Sequence, residues 1–140
     1  MNDKQTVLFL CTHNSCRSQM AEGIVNHFLG EYFQAFSAGT EATTVNTKAI
    51  AIMAEIGIEI SEHRSKTMEQ FAGEKFDYVI TLCGDANEKC PLFFGGVERM
   101  HMGFSDPSRS TGTDEEVLRE FRRVRNEIKT KLLEFFNADK

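Results

Sequence analysis

The sequence predicts an α/β fold in which a parallel β-sheet carries helices on both faces. Short apolar runs alternate along the chain with segments whose apolar residues recur at helical spacing. The 140 residues include 41% hydrophobic residues and two prolines, which suits a single domain covering residues 1–140. Strands that alternate with helices are typical of parallel sheets, because each crossover helix returns the chain in the same direction.

Four segments have the composition of strands, which predicts a four-stranded sheet. They are residues 6–11, 32–37, 77–82 and, with a weaker pattern, 97–102. Cys11 ends the first of these segments and Cys83 directly follows the third. Because ligands bind to parallel sheets outside the carboxyl ends of the strands, we expect Cys11 and Cys83 to converge on one edge of the sheet.

Helical segments separate the strands. They are expected from Ser18 to Gly30, from Asn46 to Gly57, at residues 68–71, and beyond Thr113 as one long amphipathic helix. Ser18 and Asn46 are suited to the N-terminal cap regions of the first two helices, and a glycine ends each of them.

Charge and apolar content exclude several classes of function. The net charge of −5 comes from interspersed acidic and basic residues without clusters of Lys and Arg, so nucleic acid and anionic membranes are not expected as partners. The apolar run near the N-terminus is too short for a signal-peptide core or a membrane span. We therefore expect a cytoplasmic protein.

The loop between the first strand and the first helix has the pattern of an anion-binding site. A cysteine is followed after five residues by an arginine in the segment Cys11-Thr12-His13-Asn14-Ser15-Cys16-Arg17-Ser18. Backbone N–H groups and the dipole at a helix N-terminus favour both a bound anion and a Cys11 thiolate, and Arg17 can clamp two oxygens. Ser18 can donate to the thiolate and Asn14 can brace the loop, although simple capping is equally compatible with both residues.

Residues 7–18 resemble the phosphate-binding loop of the low-molecular-weight protein tyrosine phosphatase fold, which thioredoxin-coupled arsenate reductases share. The resemblance covers essentially the whole chain. The segments that match the arsenate reductase branch in order and spacing are residues 11–22, Ser37-Ala38-Gly39, Thr81-Leu82-Cys83, Cys90-Pro91 and Phe104-Ser105-Asp106-Pro107. The resemblance implies reduction of arsenate to arsenite for arsenic detoxification, with phosphate or sulfate as competing anions.

The second pair of cysteines separates the two branches of this family. The resemblance implies that Cys11 forms an adduct with arsenate and that Cys83 then attacks Cys11 and expels arsenite. Cys90 next attacks Cys83, and thioredoxin reduces the resulting Cys83–Cys90 disulfide. The small, polar residues 84–89 are expected to be a mobile segment that carries this disulfide outward.

Other interpretations of the thiols remain open. Cys16 is expected to pack as a small apolar residue without a catalytic role. A zinc site made from all four cysteines is disfavoured because four and six residues separate the members of the two pairs. We therefore expect no metal.

Asp106-Pro107 admits two interpretations. The dipeptide is a common turn element, but proline also stiffens a loop and can aim Asp106 at the anion as a general acid. The resemblance favours the acid. Among the histidines, His13 is expected to shape substrate access, and the remaining three to be surface or packing residues.

The resemblance also raises the question of a potassium ion. Some arsenate reductases hold potassium through positions that match Asn14, Glu22 and Ser37 together with an aspartate. Lys66 stands at the apparent aspartate position, so its ammonium group can replace the cation, and we expect neither potassium dependence nor another cofactor. A solvated Lys66 without such a role is an equal alternative.

Two rival functions share much of this pattern. A low-molecular-weight protein tyrosine phosphatase uses the same nucleophile, arginine and aspartate, but Ser108 and Arg109 stand here where such phosphatases usually have aromatic residues. A weak phosphatase side activity is also compatible with the arsenate reductase function. A non-enzymatic anion-binding module is the second rival, and the resolving thiols disfavour it. We expect a monomer.

Overall fold

The structure is a computed structural model, and it describes residues 4–71, 74–83 and 98–137. Within these ranges four strands form a parallel sheet in the order β2-β1-β3-β4. The strands are β1 (Gln5–Cys11), β2 (Phe33–Gly39), β3 (Tyr78–Thr81) and β4 (Glu98–His101). The predicted four-stranded parallel sheet is therefore confirmed, with strand ends that differ by one or two residues from the predicted ones.

The described α-helices are α1 (Arg17–Phe28), α2 (Thr47–Ala54) and α3 (Asp114–Asn137), and two 3-10 helices cover Met68–Phe71 and Pro107–Arg109. Asn46 caps α2 as predicted, because its side-chain oxygen accepts from the backbone N–H groups of Lys48 and Ala49 at 2.8 and 3.3 Å. None of the helices in the described ranges is both long and apolar enough to cross a bilayer.

The cap expected of Ser18 is not found. Cys16 occupies the N-cap position of α1, and its side chain makes no capping hydrogen bond within the described part of the chain. Ser18 lies inside the first helical turn, where its hydroxyl faces Cys11. The helix therefore starts within the loop, and the Ser18 hydroxyl contacts the sulfur of Cys11 instead of capping the helix.

Side chains of β1 alternate between two buried clusters, one on each face of the sheet. Val7 and Phe9 pack with residues of all the described α-helices. Leu8 and Leu10 pack on the opposite face with Phe76 and the 3-10 helix Met68–Phe71. Helical segments thus cover both faces, and the strand ends between them form the edge that carries the site.

The register of the strands brings the predicted nucleophile and the second thiol together. Leu10 pairs with Thr81 of β3, and the backbone N–H of Leu82 donates to the carbonyl of Leu10 at 2.8 Å. Cys11 and Cys83 therefore leave the sheet at the same edge, as expected. Gly39 ends β2 against the anion loop, where a Cβ atom would stand 2.6 Å from the carbonyl oxygen of Thr12.

Helix α3 is joined to α2 by a buried arginine. The Arg125 side chain donates from Nη1 to the carbonyl of Ile52 at 2.7 Å and to Glu55 Oε1 at 2.9 Å. Arg122 adds a second ion pair to Glu55 at 3.0 Å. Because Ile52 lies in the last turns of α2, Arg125 satisfies a carbonyl near the helix end and ties the two helices together.

Candidate active site

Cys11 lies at the carboxyl end of β1, and 2% of its surface is exposed. Its Sγ atom lies 2.9 Å from the hydroxyl of Ser18. That hydroxyl accepts a hydrogen bond from Asn14 Nδ2 at 2.7 Å. Because the amide donates to the serine oxygen, the serine proton is available to the sulfur, an arrangement that suits a thiolate acceptor.

Asn14 determines the shape of the loop. Its φ of 51° lies in the left-handed region that few residues other than glycine adopt. The side chain is buried, and its Oδ1 accepts from Gln19 Nε2 at 2.9 Å and from the backbone N–H of Lys66 at 2.8 Å. The bracing role expected of Asn14 thus has a geometric basis.

Sequence reasoning missed Gln19. This fully buried residue donates to the backbone carbonyls of Asn14 and Arg64 at 3.2 and 2.9 Å. Its Oε1 lies 2.9 Å from His63 Nδ1. A polar residue at a buried position of α1 was the available signal. Gln19 stands among the apolar residues of α1, and a buried amide there requires hydrogen-bond partners. Those partners belong to the loop and to the segment that contains Arg64.

Arg17 begins α1, and 9% of its surface is exposed. It donates from Nη1 to the carbonyl of Phe104 at 3.1 Å, and its Nη2 lies 3.4 Å from Asp106 Oδ2. Its Nε is buried without a hydrogen-bond partner among the described residues. A buried N–H without a partner is costly, and an anion in the loop is a chemically suitable acceptor for it.

Asp106 faces Arg17 from the other side of the site. Its Oδ1 accepts from the backbone N–H and the hydroxyl of Ser108 at 3.0 and 2.6 Å, and Arg109 Nε lies 3.8 Å from Oδ2. Burial opposes ionisation, but the bonds from Ser108 and the charge of Arg17 outweigh it and hold the pKa of the Asp106 carboxyl below its usual value. Asp106 also caps the 3-10 helix that starts at Pro107, so the turn and the site coincide.

Cys83 meets the anion loop through Thr12. The Thr12 hydroxyl lies 3.2 Å from Cys83 Sγ, across 71 positions of sequence. The carbonyl of Thr12 accepts from the backbone N–H of Glu41 at 2.9 Å and from the hydroxyl of Thr40 at 3.1 Å, which holds the threonine in place. Cys90, its predicted disulfide with Cys83 and the segment 84–89 lie outside the described residues.

Two adjoining cavities open at this edge. The anion cavity, of about 120 Å³, is lined by Cys11, His13, Ser15, Cys16, Arg17, Thr43, Asp106 and Ser108. The Cys83 cavity, of about 280 Å³, is lined by Thr12, His13, Arg17, Cys83, Asp106 and Arg109. The three residues common to both are His13, Arg17 and Asp106. Cys11, Arg17 and Cys83 thus line two neighbouring cavities at one edge of the sheet. The backbone N–H of Asn46 donates to the carbonyl of Ser15 at 3.0 Å, which supports the wall of the anion cavity.

Comparison with known proteins agrees with this geometry. Residues 6–139 match the family model described as low molecular weight phosphotyrosine protein phosphatase. The chain belongs to this family. It is 49% identical over 138 residues to an arsenate reductase of Halalkalibacterium halodurans, with 99% of each chain covered.

Solved structures of arsenate reductases are also similar to this chain. A structure described as an arsenate reductase in the phosphate binding state has a TM-score of 0.83 at 33% identity, with 96% of this chain and 98% of that chain covered. A thioredoxin-dependent arsenate reductase of Corynebacterium glutamicum has a TM-score of 0.66 at 27% identity, with 98% of this chain and 64% of that chain covered.

Cys16 lies in the same anion loop as Cys11, but its side chain faces Asp106. Its Sγ is 3.7 Å from Asp106 Oδ1, and 5% of its surface is exposed. Burial, followed by the negative charges of Asp106 and Cys11, raises the pKa of the Cys16 thiol to about 12. A thiol that stays protonated is a poor nucleophile, which agrees with the packing interpretation of this residue.

The residues that match the family's potassium ligands make hydrogen bonds within the protein. Ser37 donates to Glu22 Oε1 at 2.5 Å, and Asn14 Oδ1 already accepts two hydrogen bonds. The ammonium group of Lys66 donates to the carbonyl of Arg64 at 2.7 Å; burial lowers the pKa of Lys66, while the charge of Glu22 opposes that shift. The Lys66 ammonium group thus lies within the electrostatic influence of Glu22, at the position where the family's ligand aspartate was expected.

The remaining histidines take three different positions. His63 is partly buried, where its Nδ1 faces both Gln19 and Glu22, so it belongs to the support of the loop. His27 and His101 are exposed, as expected. Within the described ranges, no group of three or more His, Cys, Asp or Glu side chains is arranged to hold a metal ion.

Proposed function

We propose that this protein reduces arsenate to arsenite in the cytoplasm and so serves arsenic detoxification. The observation that carries the proposal is the placement of Cys83 against Thr12 of the anion loop, 3.2 Å from its hydroxyl. Hydrolysis of a phosphate ester requires one thiolate and an acid, and it has no use for a second thiol at the loop. Reduction requires two electrons, which neighbouring thiols can supply.

The first step is attack by the Cys11 thiolate on arsenic. Arsenate binds in the loop at the N-terminus of α1, and Arg17 turns from Asp106 to the anion. A sulfur–arsenic bond forms while an arsenic–oxygen bond breaks. Asp106, which loses its arginine partner beside a new negative charge, takes up a proton and donates it to the departing oxygen, which leaves as water.

The second step transfers the electrons. The Cys83 thiolate attacks Cys11 Sγ, a disulfide forms, and the electron pair of the sulfur–arsenic bond stays on arsenic, which leaves as arsenite. Cys90 then attacks Cys83 and releases Cys11 as a thiolate. Two thiols have become one disulfide and As(V) has become As(III), so the electrons balance. The part played by Cys90 is supported by the sequence and the family resemblance.

Thioredoxin is proposed as the external reductant of the Cys83–Cys90 disulfide. Its support is the similarity to the thioredoxin-dependent enzyme of C. glutamicum and the presence of a third thiol in the sequence. Phosphate and sulfate compete for the loop because their shape and charge resemble those of arsenate. The protein is proposed to act as a monomer without nucleic-acid or membrane partners.

No cofactor is proposed. The ammonium group of Lys66 lies in the electrostatic field of Glu22, and the oxygens of Asn14 and Ser37 are engaged in hydrogen bonds. Replacing sodium by potassium at constant ionic strength should therefore leave arsenate turnover unchanged. A clear stimulation by potassium would show that Lys66 does not replace the cation.

The decisive assay is arsenate-dependent oxidation of NADPH in the presence of thioredoxin and thioredoxin reductase. The wild type should turn over, and the variants Cys11→Ser, Cys83→Ser and Cys90→Ser should each lose turnover. Cys83→Ser is the informative variant, because it removes reduction but keeps the nucleophile, Arg17 and Asp106 for hydrolysis of p-nitrophenyl phosphate.

The second candidate function is that of a low-molecular-weight protein tyrosine phosphatase, which the family match favours. Efficient hydrolysis of phosphotyrosine by a wild type that does not reduce arsenate would establish it. Slow hydrolysis of p-nitrophenyl phosphate alongside arsenate reduction would not, because the attack by Cys11 is the same for both anions.

A further inference from the structure

We propose that His13 determines which tetrahedral anions the site turns over, by obstructing an organic group on the leaving oxygen while admitting a hydroxyl. The inference deepens the proposed function, on which it rests, and it names the substrate class as small inorganic oxyanions.

The direction of attack places the leaving oxygen at the mouth of the anion cavity. Cys11 is the innermost reacting group, since it ends a buried strand and is almost fully enclosed. In displacement at phosphorus or arsenic the attacking and leaving atoms lie roughly in line. The leaving oxygen therefore points away from Cys11 and outward. This oxygen is a hydroxyl in arsenate, whereas it carries the organic group in a phosphate monoester.

His13 stands where that oxygen emerges. It lines both the anion cavity and the Cys83 cavity, as Arg17 and Asp106 also do. Its side chain is 51% exposed, which places it at the rim rather than in the base of the site. The other rim residues, Thr43 and Ser108, carry much smaller side chains. His13 is therefore the rim side chain of the anion loop with the bulk to obstruct an aryl group.

The histidine is held in this position from two sides. Its carbonyl accepts hydrogen bonds from the hydroxyls of Ser65 and Thr43 at 2.8 and 3.5 Å. Its Nε2 lies 3.5 Å from Glu41 Oε1, and Glu41 is itself bonded through its backbone N–H to Thr12 at 2.9 Å. An exposed pair of this kind adds little stability, so the hydrogen bonds to the His13 carbonyl are the main restraint on its position.

The size of the cavity agrees with an inorganic substrate. Pockets for drug-sized ligands enclose roughly 300–1,000 Å³, whereas the anion cavity encloses about 120 Å³. An aryl ring would have to extend past His13 into the Cys83 cavity, which Arg109 also lines. A small oxyanion requires no such space.

The test compares two substrates in His13→Ala and the wild type. The ratio of kcat/KM for p-nitrophenyl phosphate to kcat/KM for arsenate should rise about tenfold in His13→Ala, in the range by which a few heavy atoms in a pocket discriminate substrates. Glu41→Gln, which loosens the ring without removing it, should give a smaller rise. His27→Ala removes an exposed histidine from α1, and its ratio should equal that of the wild type.

A second readout separates obstruction from general damage to the loop. Inorganic phosphate carries no organic group, so its inhibition constant should change far less in His13→Ala than KM for p-nitrophenyl phosphate. An unchanged substrate ratio, or equal changes in the two constants, would overturn the role of His13. If the wild type does not reduce arsenate, the proposed function fails, and the comparison of p-nitrophenyl phosphate with inorganic phosphate still tests His13 by itself.

Discussion

Replacing Ser18 by alanine should damage both the nucleophile and the loop that holds it. The Ser18 hydroxyl is fully buried between Cys11 Sγ at 2.9 Å and Asn14 Nδ2 at 2.7 Å. Alanine removes the donor to the sulfur and also leaves the Asn14 amide without that acceptor. Asn14 keeps its bonds to Gln19 and Lys66, so the loop should retain its shape while losing this connection.

The two losses have separate magnitudes. A hydrogen bond to a charged group contributes about 1.5–3 kcal/mol, and about 1.4 kcal/mol corresponds to tenfold in rate. The kcat for arsenate reduction should therefore fall about 10- to 100-fold. The buried amide hydrogen that loses its acceptor should lower the free energy of unfolding by about 1–3 kcal/mol.

Steady-state arsenate reduction and urea unfolding measure the two effects on the same preparation. Ser61→Ala removes an exposed serine outside the loop whose hydrogen bond to the exposed Glu59 contributes little, so both measurements should stay close to the wild type. A Ser18→Ala variant with wild-type kcat would refute the hydrogen bond from Ser18 to a Cys11 thiolate. A loss of activity with unchanged stability would instead refute the assigned connection between Ser18 and Asn14.

Three further predictions follow from single contacts. Gly39→Ala should reduce arsenate turnover and stability together, because its Cβ would lie 2.6 Å from the carbonyl oxygen of Thr12; wild-type values would contradict this close approach. Arg125→Ala should lower the free energy of urea unfolding by about 2–3 kcal/mol, since the carbonyl of Ile52 loses a charged donor, while no change would show that water replaces it. The pKa of Asp106 is lowered on folding, so its carboxylate stabilises the protein at pH values above the usual aspartate pKa of about 3.9. This contribution is lost as the pH falls through the lower pKa of the folded state. The Tm of the wild type should therefore exceed that of Asp106→Asn near neutral pH and converge with it in acid.

Local patterns in the sequence predicted the elements that local interactions form. Apolar runs identified the strands, and Asn46 identified the start of α2, because its side chain bonds residues two and three positions along the chain. The loop between Cys11 and Arg17 was recognisable for the same reason, since nucleophile, arginine and helix N-terminus are contiguous. Of the two roles left open for Ser18, capping is not found, because the helix begins one residue before it with Cys16 at the N-cap, and the Ser18 hydroxyl lies beside Cys11.

Contacts between distant segments could not be predicted from such patterns. The Thr12 hydroxyl meets Cys83 across 71 positions, and Arg17 meets the carbonyl of Phe104 across 87 positions. Each of these contacts depends on the register of the strands and on the packing of α1 against the sheet. A motif specifies which groups are present, but not which of them the packed chain brings within hydrogen-bond distance.

The sequence by itself determined the α/β class, the position of the proposed nucleophile and the composition of the loop around it, because these depend on short-range periodicity and on adjacent residues. Only the tertiary structure decided that Gln19 and His63 support the loop, that the charge of Glu22 acts on Lys66, and that His13 lines two cavities. The physical reason is that a side chain's partners, burial and ionisation are set by the segments packed around it, and those segments are remote in sequence.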